Sequence, residues 1–155
     1  MHIPDGFIDI PTSAAFAAIA AGGIAASLKG AKSSLDDKTA PLAGLTATFI
    51  FAVQMLNFPV AAGTSGHLIG AALATVLVGP YSATLAITIV LLLQALLFAD
   101  GGLSALGLSI FNMSLLAVWF GYGVFLLIKK ITQAINTPAA STSNEFIKNE
   151  YKLPM

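Results

Sequence analysis

Long apolar stretches alternate with short polar ones over most of the chain. A polar lead of residues 1–12 precedes an apolar body of residues 13–128, and a polar segment follows the body. Turn-forming residues divide the body into five segments whose lengths and apolar character predict helices that cross or enter a membrane. The five segments are residues 13–28, 40–57, 67–78, 81–99 and 105–128.

The third segment, residues 67–78, is too short to cross a bilayer as a regular helix. A helix of that length measures about 18 Å, whereas the hydrocarbon core is about 30 Å thick. The positions of the lysines indicate whether this segment crosses the membrane, because loops rich in lysine stay on the cytoplasmic side. Lysine groups follow the first and the last segment, at positions 29–38 and 129–130. Five crossings place both groups inside and four do not, so we predict a short or broken crossing from about Gly66 to Gly79.

The composition indicates an integral membrane protein. Hydrophobic residues make up 57% of the 155 residues and charged residues only 9%, which is too little polar surface to cover a soluble domain of this size. The sequence therefore predicts an all-α, multi-pass protein of the cell (inner) membrane. We expect a bundle of about five transmembrane helices in residues 1–130, with the N-terminus outside, and a disordered cytoplasmic tail in residues 131–155.

Charge and cysteine content exclude several functions. The formal net charge is zero, with seven lysines, no arginine and seven acidic residues, which leaves no basic surface for nucleic acid. The chain has no cysteine, so any metal must be held by nitrogen and oxygen donors. Motifs of zinc proteases, P-loop ATPases and serine hydrolases do not occur, so we predict that the protein is not an enzyme.

The polar lead is not a secretory signal peptide, because Asp5 and Asp9 stand where such a peptide carries positive charge. We therefore expect the chain to keep its N-terminus. The α-amine of Met1, the amide nitrogen of His2 and the Nδ1 atom of His2 can then close a five-membered and a six-membered chelate ring around one ion. Three nitrogens in a plane suit Ni²⁺ or Cu²⁺, and His67, the only other histidine, can supply a fourth.

Both histidines also fit simpler roles that involve no metal. A histidine at position 2 is often a solvated terminus, and a histidine after Gly66 can simply cap a helix at the membrane interface. Residues 100–102 predict an exposed turn without a further role. Amides such as Gln54, Asn57 and Asn112 are expected to form hydrogen bonds between helices.

Small residues recur four positions apart in the first two apolar segments, for example at Ala14 and Ala18 and at Ala43 and Ala47. This spacing allows helix backbones to approach closely in lipid. The contacts can lie within the bundle or against a partner subunit, and we expect the first.

Three separated stretches of the chain carry a family resemblance. They are the opening MHIPDGFI, the stretch FAVQMLNFPVAAGTSGHLIGAALATVLVGP at 51–80 and the run LLLQALLFADGGLSALGLSIFNM at 91–113. They resemble the CbiM/NikM family, the substrate-binding (S) membrane subunits of energy-coupling-factor transporters for cobalt and nickel. The resemblance covers about residues 1–130 and keeps the family's order of motifs, so it favours the chelate over a solvated terminus and a helix cap.

The resemblance implies a metal site. In the family, the N-terminal amine, the amide nitrogen and imidazole of the second residue and a histidine of the GTSGH motif bind the metal in a square plane. The corresponding residues here are Met1, His2 and His67. The lead would fold back and insert toward the bundle, with Pro4 and Gly6 shaping its turn. The residues expected to support the ligands are Gln54, Asn57 and Ser65.

The same resemblance implies transport. Ni²⁺ or Co²⁺ would be the transported substrate, without an organic cofactor, and would bind from the outer face. A coupling transmembrane subunit, cytoplasmic ATP-binding subunits and often a small auxiliary membrane subunit would drive import. Cobalt would supply cobalamin biosynthesis and nickel would supply nickel enzymes. The ligand set itself does not distinguish the two metals.

The C-terminal part of the chain departs from the family. Its members usually continue with further transmembrane helices after the span that ends near Ile128, whereas this chain becomes polar near Ile131. Two further interpretations therefore stay open. One is a truncated and inactive member of the family, and the other is a small membrane scaffold or interaction protein without a metal site.

Overall fold

A computed structural model of the chain describes residues 3–34, 36–37, 39–61 and 64–150. The described residues form five α-helices, a π-helical turn and one small β-hairpin. The helices are α1 (Ile10–Ser34), α2 (Thr39–Gln54), α3 (Ala71–Leu97), α4 (Leu106–Ile110) and α5 (Ala117–Glu150). The hairpin consists of β1 (Phe58–Ala61) and β2 (Thr64–Gly66), and the π-helical turn is Phe111–Leu116.

Three helical stretches in the described part of the chain are long and apolar enough to cross a membrane: Ile10–Ser33, Ala71–Leu97 and Leu106–Ile135. The α2 helix is also apolar but has only 16 residues. These helices confirm the predicted all-α multi-pass membrane protein. The number of crossings and their orientation stay predictions.

The first two helices begin near aspartate side chains. Asp9 Oδ2 accepts a hydrogen bond from the backbone N–H of Thr12 at 3.1 Å. Asp36 Oδ1 accepts one from the N–H of Thr39 at 2.6 Å. Such bonds satisfy N–H groups that the first helical turn leaves without an intrahelical partner. The polar residues before each apolar segment therefore fix where α1 and α2 begin.

The α3 helix is interrupted at Gly79, whose backbone angles (φ 76°, ψ 165°) are not helical. Just before α3, the Ile69 carbonyl accepts a hydrogen bond from Gln54 Nε2 at 2.8 Å. Just after α3, the ring of Phe98 lies 5.4 Å from that of Phe51. A straight helix of this length would measure about 40 Å, so its two ends could not both reach the last turn of α2. The chain therefore bends sharply at Gly79, which confirms the predicted break.

Packing around α3 forms the core of residues 1–122, the first of two compact units in the chain. Half of the most apolar part of α3 is buried, against 11% of that of α1. The core includes Ala20, Ile50, Ala74, Ile87, Val90, Leu91 and Val118. Many large apolar side chains on the other helices are exposed, as expected for surfaces that face lipid.

Glycines of α1 provide close helix contacts within the first unit. A β-carbon at Gly23 would overlap the side chain of Leu115, and one at Gly30 would overlap the ring of Tyr81. These contacts support the expected packing inside the bundle for one face of α1. Ala18, on another face, is exposed.

The α5 helix continues to Glu150, past residue 130, where the sequence predicted the start of a disordered tail. Adding turns to an existing helix needs no new nucleus, so the backbone of residues 131–150 extends α5. The two compact units divide at residue 122. A functional boundary at residue 130 stays a prediction.

Candidate metal-binding site

A cavity of about 200 Å³ lies where the polar lead, the segment before α3 and the π-helical turn meet. Its walls combine apolar side chains with an imidazole, an amide, a hydroxyl and a thioether. The lining residues are Ile3, His67, Ile69, Ser109, Asn112 and Met113. Because Ile3 directly follows His2, the cavity brings the predicted ligand His67 close to the start of the described chain.

The segment between β2 and α3 carries His67 and is held against α2. Gly70 has a φ of 76°, and a β-carbon there would lie 2.9 Å from Ile50 Cγ1. Only glycine fits both this left-handed conformation and this contact. The helix therefore begins at Ala71 rather than at residue 67 as the sequence predicted. As a result, His67 lies in the connection before the helix.

The imidazole of His67 is half-buried in the cavity wall. Its Nδ1 atom lies 3.1 Å from the backbone oxygen of Leu68, and its Nε2 atom is buried. A proton on Nδ1 can donate to the Leu68 oxygen, and Nε2 then carries the lone pair that a metal requires. This arrangement gives His67 the chemistry of a single nitrogen ligand.

Gln54 is fully buried and contacts the segment that carries His67. Its Nε2 atom donates to the Ile69 carbonyl at 2.8 Å. Its Oε1 atom is buried without a hydrogen-bond partner among the described residues. An amide that binds the backbone two residues from His67 makes the kind of contact that a supporting role requires.

The structure describes only two of the other four predicted site residues. Met1 and His2 lie outside the described residues. Ser65 is in β2, paired with Pro59 of β1. Asn57 is exposed between α2 and β1. Among the described residues, no group of three His, Cys, Asp or Glu side chains could hold a metal, so a complete ligand set has to include another donor.

The polar lead is held by the turn between α3 and α4. The N–H of Gly102 donates to the Ile3 carbonyl at 2.8 Å. Asp5 Oδ1 accepts two hydrogen bonds from Ser104, one from the hydroxyl at 2.6 Å and one from the N–H at 2.8 Å. The bonds from the Ser104 hydroxyl and N–H lower the pKa of the Asp5 carboxyl below its ordinary 3.8. Gly6, with a φ of 84°, adopts the left-handed conformation of the predicted turn.

Sequence reasoning missed the role of this turn, which we expected to be exposed. Gly102 is buried and binds the lead. Asp5 and Ser104 are 99 positions apart, and no helical or strand period relates residues at that separation. The one local signal is Asp5 itself, because the lead has no basic residue that could pair with its carboxylate.

Known metal transporters resemble this chain over most of its length. It is 36% identical over 127 residues to the fused nickel transport protein NikMN of Rhodobacter capsulatus, covering 82% of this chain and 37% of that protein. It is 32% identical over 135 residues to the cobalt transport protein CbiM of Acetohalobium arabaticum, covering 84% and 53%. The crystal structure of a truncated transition metal transporter matches it with a TM-score of 0.79 at 37% identity, covering 85% of this chain and 62% of that one.

The chain thus spans less than two thirds of the length of each of these proteins. The CbiM family model, described as a cobalt uptake substrate-specific transmembrane region, matches residues 2–146. The match includes most of the lead, His67 and the turn that holds the lead. The chain therefore belongs to the CbiM family of cobalt uptake substrate-specific transmembrane regions.

Proposed function

We propose that this chain binds Ni²⁺ or Co²⁺ as the substrate-specific component of a metal importer. The observation that carries the proposal is the cavity lined by both Ile3 and His67. Residue 2 is one peptide unit from Ile3, about 3.8 Å between α-carbons. The chain start can therefore reach the cavity whose wall carries His67.

The proposed ligands are four nitrogen atoms. The amine of Met1, the amide nitrogen and Nδ1 of His2, and Nε2 of His67 would bind one ion in a plane, a donor set that suits Ni²⁺. The amine and the amide must each lose a proton and both imidazoles must be neutral, so affinity should fall as the pH falls.

Three further residues are assigned a supporting role around these ligands. Gln54 would act through its hydrogen bond to the backbone beside His67. Asn57 and Ser65 would act from the two ends of the hairpin region that leads to His67. Such residues orient metal ligands without contacting the ion.

Transport would need partner proteins. The similarity to a nickel transport protein and a cobalt transport protein supports metal transport, and in the proposed importer the ion would bind at the outer face. A coupling transmembrane subunit, cytoplasmic ATP-binding subunits and a small auxiliary membrane subunit would drive import. Imported cobalt would serve cobalamin biosynthesis, and imported nickel would serve nickel enzymes.

The described residues that line the cavity all lie between Ile3 and Met113, within the part of the chain that matches the family model. We therefore expect binding even though the chain spans only part of the length of its relatives. Transport is a separate property, and its test needs the partner subunits.

Isothermal titration of Ni²⁺ and Co²⁺ into the detergent-purified full chain tests the binding. Binding should be lost in His67→Ala and unchanged in Thr48→Ala, whose hydroxyl donates to the Gly44 carbonyl of its own helix at 2.9 Å. At a free metal concentration about a hundred times the dissociation constant, the ion should add about 2.7 kcal/mol to the free energy of unfolding. That gain is read as a higher melting temperature. Equal titrations of all three proteins would contradict the proposal and favour a scaffold without a metal site.

Uptake of radioactive nickel or cobalt by cells that contain the partner subunits tests transport. Uptake above that of cells with His67→Ala supports the importer. Metal binding without uptake would identify a transport-inactive member of the family.

A further inference from the structure

The lead contacts the turn between α3 and α4 at two separate points. At the first, the N–H of Gly102 donates to the Ile3 carbonyl at 2.8 Å. At the second, the hydroxyl and N–H of Ser104 donate to Asp5 Oδ1 at 2.6 and 2.8 Å. Hydrogen bonds to a carboxylate are charge-assisted and stronger than those between neutral groups. Together the two points fix both the position and the direction of the lead.

Gly102 provides the space in which the lead lies. A β-carbon at Gly102 would overlap the backbone nitrogen of Asp5 and would lie 2.7 Å from the carbonyl carbon of Pro4. These are backbone atoms, so they cannot rotate away as a side chain could. The φ of Gly102 is not positive, so a glycine is needed here for space and not for its backbone angles.

The turn also lies close to the candidate metal site. Ile3 is bound by Gly102 and lines the cavity together with His67. A fixed Ile3 confines residue 2 to within about 3.8 Å of it, measured between α-carbons. Ordering a flexible chain end opposes binding, and an end that is ordered beforehand avoids that loss.

We propose that residues 101–104 form a clamp that positions the N-terminal lead, with Gly102 and Ser104 as positioning residues for metal binding. The inference rests on the proposed function, because the clamp matters for binding only if the chain start supplies metal ligands. Neither Gly102 nor Ser104 is among the described residues that line the cavity, so we assign neither of them as a ligand. The clamp should therefore raise metal affinity without changing the atoms that bind the ion.

Gly102→Ala and Gly22→Ala form a matched pair that tests the clamp. A β-carbon at Gly22 would meet no atom within 4 Å. Gly102→Ala should weaken nickel binding about 10–100-fold, the range seen for residues that orient metal ligands, and Gly22→Ala should leave it unchanged. At saturating nickel, the visible absorption spectrum of Gly102→Ala should equal that of the native chain, because the same nitrogens bind. Unchanged affinity, or a changed spectrum, would overturn the clamp.

A disulfide between positions 5 and 104 can replace the hydrogen bonds from Ser104 to Asp5. This second test does not depend on whether Gly102→Ala folds normally. In the double variant Asp5→Cys with Ser104→Cys, two thiols replace side chains that are in hydrogen-bond contact; oxidised glutathione can join them, and the chain has no other cysteine. We expect this disulfide to form without metal, as detected by mass spectrometry. The oxidised variant should bind nickel like the native chain, whereas Asp5→Ala should bind it about 10–100-fold more weakly.

Different experimental results would contradict the clamp and the proposed metal-binding function. An oxidised variant that binds no better than Asp5→Ala, or an Asp5→Ala variant that binds like the native chain, would overturn the clamp while the native chain still binds metal. A disulfide that forms in a chain without metal affinity would contradict the proposed function and leave the contact between the lead and the turn in place.

Discussion

The two walls of the cavity are held by different kinds of contact. The segment that carries His67 rests on buried groups, because Gln54 is fully buried and Gly70 packs against the buried side chain of Ile50. The side-chain bonds that hold the lead lie at the surface, because Asp5 and Ser104 are both exposed. One wall is therefore part of the helix core, whereas the other is attached to the surface by a few hydrogen bonds.

On the proposed function, the site has to bind an ion and later release it, and the difference between the two walls suits that requirement. Moving His67 would disturb contacts in the core, whereas releasing the lead breaks hydrogen bonds to one turn. Local opening is easiest where few buried contacts are lost. On the proposed function, we expect release of the ion to begin at the lead.

The largest effect is expected when the wall in the core is disturbed. Gly70→Ala forces a side chain into a φ of 76° and brings its β-carbon to 2.9 Å from Ile50 Cγ1. We expect the free energy of unfolding to fall by about 2–4 kcal/mol. Gly44→Ala is the control, because a β-carbon there would meet no atom within 4 Å. If thermal unfolding in detergent shows the two variants equally stable, the His67 segment is not held as we describe.

Gln54 and Gln94 are both fully buried, but Gln54 is the one that binds the segment with His67. Comparing them separates the effect of burial from the effect of that contact. Gln54→Leu leaves the Ile69 carbonyl without its donor and should lower the free energy of unfolding by about 1–3 kcal/mol and weaken nickel binding. Gln94→Leu removes a weak contact of 3.9 Å to Met55 Sδ and should have a smaller effect on both. Thermal unfolding and nickel titration of the two variants check this. Equal losses of affinity would mean that Gln54 has no specific link to the site.

The smallest expected effect is a difference in pH dependence. The bonds between the lead and the turn should persist to a lower pH than nickel binding does. The pKa of Asp5 is lowered by its bonds to Ser104. The stability that those bonds add is therefore present above the ordinary pKa of 3.8 and is lost as the pH falls below it. Metal binding to nitrogen donors competes with protons at higher pH than a hydrogen bond to a carboxylate does. Nickel affinity should thus decline while the lead still binds the turn.

Hydrogen exchange at the N–H groups of Gly102 and Ser104, measured beside nickel affinity across this pH range, checks the order of the two events. Protection of these groups should persist at mildly acidic pH. Loss of protection together with loss of affinity would argue that the ion, and not the clamp, holds the lead.

The helices could be predicted from the sequence because membrane burial is a property of each apolar segment by itself. The break at Gly79 is equally local, since glycine followed by proline interrupts a helix regardless of its neighbours. The hairpin Phe58–Gly66 was not predicted. Pairing of such short strands depends on the partner strand and on the turn between them, which the apolar pattern does not describe.

The candidate site likewise contains residues that the sequence could identify and residues that it could not. His67 and Gln54 could be identified because a histidine and a buried amide are rare in an apolar chain. The clamp could not, because it arises from a fit between residues 99 positions apart. A glycine that is needed for space, such as Gly102, also looks in sequence like any turn glycine.

The most direct test of the central claim, that the chain start binds the metal together with His67, is nickel titration of the native chain beside one extended by three residues before Met1. Three residues are added because a single one would give the new chain start four nitrogens of its own: an amine, two amides and the imidazole of His2. The extension leaves His67 and the residues of the clamp as they are. We predict tight binding by the native chain and its loss in the extended chain. Equal affinity of the two would contradict the account.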